Sequence, residues 1–176
     1  MIPAMTIQKN FSRNFILCFF TQFVFSVVFC MPIPTIPIYL LRFAAKESEI
    51  GLLVGVISIS ALILRPFIGR GLLTIPERTF MFTGALIYAV SSLAYLIAPP
   101  FWPLLAVRVL HGVGVALFST ASFTFAVGII PEARRGQLIS IFYLANNLAF
   151  ALGPYVGMVI INHFNFVTLF STCAGL

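Results

Sequence analysis

Long apolar runs separated by short polar breaks set the rhythm of the chain. Six runs stand out, at 14–41, 49–72, 79–98, 102–129, 137–162 and 165–176. About 20 apolar residues carry a helix across a hydrocarbon core, and the first five runs meet that length. The breaks are short: Arg42 to Ser48, the stretch holding Arg70 and Arg78, Pro99-Pro100, Pro131 to Gly136, and Asn162 to Asn165. They leave no room for a soluble domain or a linker. The sixth run offers only the residues 165–176, which at 1.5 Å each reach about 18 Å of a core about 30 Å thick. No polar flank follows Leu176. The expectation is an all-α membrane bundle of about five complete transmembrane helices plus the start of a sixth, as a fragment of a longer protein or the product of a truncated reading frame.

The first run begins like a secretory signal, with Lys9 and Arg13 ahead of it. It then continues to Leu41, far beyond an h-region of roughly 7–15 residues, so it reads as a true span. Phe29 before Cys30 also argues against a lipoprotein cleavage site. Composition agrees with lipid as solvent: 61% of the 176 residues are hydrophobic and only 8% are charged, against about 25% charged in soluble domains. The net charge of +6 comes from Lys and Arg set singly between apolar runs. That pattern fits juxtamembrane charge and not a nucleic-acid surface.

The basic residues also set orientation. Lys9 and Arg13, Arg70 and Arg78, and Arg134 and Arg135 would share one side. On the other side Arg42 and Lys46 are offset by Glu47 and Glu49, and the Pro99 and His163 breaks carry no Lys or Arg. The N-terminus is therefore expected on the cytoplasmic side of a plasma membrane, the inner membrane in a bacterium. That placement discounts the glycosylation sequon Asn10-Phe11-Ser12. Cys18, Cys30 and Cys173 have apolar neighbours and no ligand spacing, so they read as small buried hydrophobes and no metal is expected.

Some polar residues lie inside the spans. Arg108 sits about six residues into the fourth run, where a cation costs roughly 3 kcal/mol or more unless it meets a cavity or a partner. His111 and Gly112 follow at i+3 and i+4 on the same face, and Gly112 and Gly114 leave room for a helix or a substrate. Gln22, Asn146 and Asn147 complete the set of candidates for a cavity wall, each with interhelical hydrogen bonding as its alternative role. Ala149, Gly153 and Gly157 recur every fourth residue as a small-residue stripe, and Pro154 removes a backbone donor within it. The prolines at 32, 34 and 37 free carbonyls, which a membrane tolerates only where they face protein or water.

Taken in order, these patterns resemble the N-terminal half of a major facilitator superfamily transporter, of the drug- or sugar-efflux-like branch. The resemblance rests on several motifs. Arg108-Val-Leu-His111-Gly112-Val-Gly114 is similar to the fourth-helix motif, with His111 where a polar residue such as glutamine often stands. Asn146 through Met158 resembles the glycine-proline motif of the antiporter branches, departing at Ala149 and Met158. Arg65-Pro66-Phe-Ile-Gly69-Arg70 through Glu77-Arg78 resembles the signature loop between helices two and three. There Leu73 takes the place of the aspartate, so the charge relay lacks its acid unless Glu77 substitutes. Pro131 to Gln137 is similar to the loop before helix five.

The resemblance implies half of a twelve-helix fold made of two inverted three-helix repeats, with a small-molecule substrate at the midplane between the halves. It implies efflux by alternating access, no cofactor, and a fifth helix that packs against the missing C-terminal half or a second copy. No acid lies deep in a span. Either His111 carries a coupled proton, or the carrier lies in the missing half, or transport is not proton-coupled. An enzyme is not expected, since no nucleophile-base pair or metal constellation is present. A self-pairing half-length protein and a non-functional truncated product are the alternatives.

Overall fold

A computed structural model describes residues 4–41, 46–98 and 102–175, with side chains from Arg13 onward. Arg42, the Pro99-Pro100 pair and Leu176, and the side chains of Lys9 and the sequon, lie outside the described residues. The described residues form α-helices only, apart from one 3-10 turn: α1 (Ala4–Cys30), α2 (Pro32–Leu41), α3 (Glu47–Gly71), α4 (Glu77–Ala94), α5 (Trp102–Ile129), the turn at Glu132–Arg134, α6 (Arg135–His163) and α7 (Phe166–Gly175). Among them, four segments are long and apolar enough to cross a membrane: Arg13–Leu41, Glu47–Gly71, Trp102–Ile129 and Glu132–His163. The run at 79–98 forms the shorter α4, which starts at Glu77-Arg78 and gives way to a turn after Ala94.

Local chemistry explains the helix ends. The Glu49 carboxylate accepts the Lys46 backbone N–H at 2.9 Å, which anchors the first turn of α3. Asn165 caps α7 by accepting the Thr168 N–H at 2.8 Å. The first run breaks at Met31, where three prolines cluster in α2. Pro32 has no N–H for the carbonyl four residues earlier, that of Val28. The buried Tyr88 hydroxyl donates to that carbonyl instead, at 2.9 Å. The Cys173 thiol approaches the same oxygen at 3.8 Å. The break is thus closed from α4 and α7. By contrast, α6 runs through Pro154 without interruption, although the Phe150 carbonyl loses its donor there.

The packing pairs the two halves of the bundle crosswise. The first span lies on α6, α3 lies on α5, and α4 lies on α7. The most extensive packing of all is that of α4 on α5. Glycines set the closest approaches. A Cβ on Gly84 would fall 2.8 Å from the Gly114 carbonyl oxygen, so α4 and α5 touch backbone to backbone. A Cβ on Gly112 would collide with Ser60 Oγ and the Ile57 carbonyl of α3.

The apolar core occupies one end of the bundle, around Val28, Met31, Leu53, Tyr88, Leu104 and Phe170. A smaller cluster of Phe15, Cys18, Ala126, Ile130 and Phe142 ties the other end. The outer faces are apolar too: Phe82, Leu86, Val90 and Leu93 form an exposed stripe along α4. Such a surface suits acyl chains and not water.

Candidate functional site

Between the two cores, α1, α3, α5 and α6 enclose a cavity of about 460 Å³. It adjoins a second of about 260 Å³, since both are lined by Gln22, Arg65, Ser119 and Asn146. The wall carries one hydrogen-bonded group. Gln22 Nε2 donates to Asn146 Oδ1 at 2.9 Å and to Ser26 Oγ at 3.0 Å. The Ser26 hydroxyl also donates to Asn146 Oδ1. Both donors of the Gln22 amide are thereby spent, while its Oε1 is buried with no partner. Ser119 Oγ is likewise buried and unpartnered. The Arg65 side chain, exposed on α3, lines both cavities and makes no ion pair among the described residues. Aromatic rings complete the wall: Phe25, Phe29 and Phe150 in the larger cavity, Phe123, Phe142 and Tyr143 in the smaller.

The expected cavity residues divide into two groups. Gln22 and Asn146 come together as described. Arg108 and His111 do not join them, and they line neither of these cavities. Their face of α5 turns into the bundle, where Arg108 is 4% exposed and His111 1%. His111 Nδ1 meets the Tyr95 hydroxyl at 3.0 Å, and its ring stands edge-on to Tyr88 with centroids 4.3 Å apart. The Arg108 guanidinium lies over the Tyr95 ring, 5.7 Å from its centroid. Arg108 Nε and His111 Nε2 have no hydrogen-bond partner. Asn147, one residue along from Asn146, rotates by about 100° on the helix; it is exposed and lines neither of these cavities.

The small-residue stripe finds its partner inside this chain. Ala149, Gly153 and Gly157 are buried. A Cβ on Gly153 would sit 2.5 Å from Cys30 Cβ, and one on Gly157 would collide with the Met31 carbonyl. The stripe therefore seats the break between α1 and α2, and Pro154 lies beside it. This corrects the expectation that the stripe waits for the other half. In the signature stretch, Arg65, Pro66, Gly69 and Arg70 belong to α3, and Glu77 and Arg78 open α4. Among the described residues the one ion pair is Arg135 with Glu132, at 3.8 Å. Glu77 makes no ion pair among them; it stands in the first turn of α4, where the helix dipole favours an acid.

Arg65, Ser26 and Ser119 were not foreseen as cavity residues. Arg65 reads from sequence as the start of the signature motif near the end of the second run, and it sits about two turns inside α3 from its C-terminal end. Serines at i+4 from Gln22 and on the α5 face give a weak signal, since such hydroxyls often bond their own helix.

A family model described as Major Facilitator Superfamily matches residues 18–176. The chain belongs to that superfamily. It is a multi-pass membrane protein with the all-α bundle of the superfamily. An uncharacterized MFS-type transporter of Methanocaldococcus jannaschii, MJ1560, is 26% identical over 143 residues, covering 81% of this chain and 37% of that protein. Quinolone resistance protein NorA of Staphylococcus aureus is 23% identical over 146 residues, covering 83% of this chain and 38% of its own length. The chain thus spans less than two fifths of the curated relatives it matches.

Proposed function

We propose that this chain is the N-terminal half of a secondary active transporter that exports a small solute by alternating access. The observation that carries the reading is the Gln22–Ser26–Asn146 group on the cavity wall. It joins α1 to α6, and all three of its residues line the larger cavity. Polar groups are costly at membrane depth, and those facing a cavity mark solute paths. The name of the quinolone resistance relative supports the outward direction. The substrate would be shared with a C-terminal half or a second copy, and the N-terminus would face the cytoplasm of a plasma membrane. Proton coupling, if present, would draw on a group outside this cavity wall, because no acid lines it.

Export can be tested in cells loaded with a fluorescent amphipathic dye. Cells expressing the protein should retain less dye than cells with empty vector, and Asn146→Ala should raise retention at unchanged membrane abundance. Equal retention in all three would overturn the reading. An N-terminal tag at the native locus gives the size of the working unit. A species near twice 19.4 kDa would carry both halves on one chain, and a stable species at 19.4 kDa would point to self-pairing.

A further inference from the structure

The cavity wall carries one sign of charge. Arg65 reaches both cavities from α3, and none of Glu47, Glu49, Glu77 and Glu132 lines either of them. The only ion pair among the described residues, Arg135 with Glu132, lies elsewhere. A guanidinium facing a recess with aromatic sides is a planar donor set, and no carboxylate lines the recess with it. The neighbouring amides are tied to one another: Gln22 has spent both its hydrogens on Ser26 and Asn146. A ligand that satisfies this wall carries an anionic oxygen group for Arg65 and a flat apolar body for the phenylalanines.

We infer that the Gln22–Arg65–Asn146 wall selects amphipathic aromatic organic anions, carboxylates above all, over neutral and cationic molecules of the same shape. The inference rests on the transport reading for its purpose, yet it concerns binding and stands or falls separately. Bidentate pairing of a guanidinium with a carboxylate supplies both charge and geometry. The small size of the second cavity, about 260 Å³, suits a bicyclic ring system better than a large one.

The test uses the full chain purified in maltoside micelles, which carry no anionic headgroup, so lipid phosphate cannot stand in for the solute. The probes are 3-hydroxy-2-naphthoate, the corresponding naphthamide, and a naphthylmethylammonium, followed by their own fluorescence. The naphthoate should bind roughly tenfold or more tightly than the other two, the range expected of a hydrogen bond to a charged group. Arg65→Gln should remove that preference and Arg65→Lys should keep most of it, with the elution profile unchanged in both. Export of the same three probes from expressing cells is measured alongside.

Selective binding lost in Arg65→Gln and retained in Arg65→Lys supports the inference. Equal binding of all three, no binding of any, or naphthoate binding indifferent to Arg65→Gln overturns it. In those cases, export of any probe that depends on Asn146 still supports transport. Selective binding without export leaves the anion site standing and counts against transport.

Discussion

Removing a single oxygen at Tyr88 tests how the break in the first span is held. Pro32 leaves the Val28 carbonyl without its helical donor, and the Tyr88 hydroxyl fills the vacancy at 2.9 Å. Tyr88→Phe keeps the ring and its edge-on contact with His111 and deletes only that donor. A buried acceptor left unpaired costs about 1–3 kcal/mol. Interhelical bonds measured in membranes run lower, about 0.6–1.7 kcal/mol. The Cys173 thiol, already 3.8 Å from the same oxygen, offers partial relief. The expected loss is therefore about 1 kcal/mol. The decisive comparison is with Pro32→Ala, which restores an N–H at the position that serves Val28 within the helix. In that background Tyr88→Phe should cost almost nothing. Steric trapping or denaturant titration in micelles reads all four proteins of the cycle. Independent sites add within about 0.3–0.5 kcal/mol. If the two substitutions prove additive within that margin, the hydroxyl is not replacing the missing donor and the account of the break fails.

The other predictions concern packing and the cavity wall. Gly112→Ala should destabilise by about 1–3 kcal/mol in the same titration, because its methyl meets Ser60 and Ile57. Gly136→Ala, with nothing within 4 Å, should be neutral or mildly stabilising. Asn146→Ala should lower stability by about 0.6–2 kcal/mol through its lost bonds to Gln22 and Ser26, whereas Asn147→Ala should change neither stability nor export.

The helical segments were legible because the apolar runs are long and the breaks hold proline, glycine or charge. The break at Met31 was partly legible: the proline cluster announces freed carbonyls, but only the fold shows that Tyr88 and Cys173 meet one of them. Gln22 and Asn146 could be singled out as amides at membrane depth. Their mutual bond spans 124 residues of sequence, and periodicity carries no information at that range. Arg108, His111 and Gly112 do share a face, as their spacing requires. Spacing alone does not say whether that face meets a cavity or a neighbour, and here it meets the tyrosines of α4 and the backbone of α3. Arg65 fell inside the expected run 49–72, but its motif tied it to the following loop, and sequence carries no sign that this face of α3 meets the cavities.

The bond between Gln22 and Asn146 also bears on how the protein is made. The two amides are 124 residues apart. At synthesis rates of about 5–20 residues per second, α1 precedes its partner by roughly 6–25 s. During that interval Gln22 has only its local bond to Ser26, one helical turn away, to cover a donor in lipid. The i,i+4 serine therefore lets the first span leave the translocon before its mate exists, and the later arrival of α6 exchanges a temporary arrangement for the finished one. Losing Ser26 would then show first as a biogenesis defect, in the yield of inserted protein and not in the stability of what has already assembled.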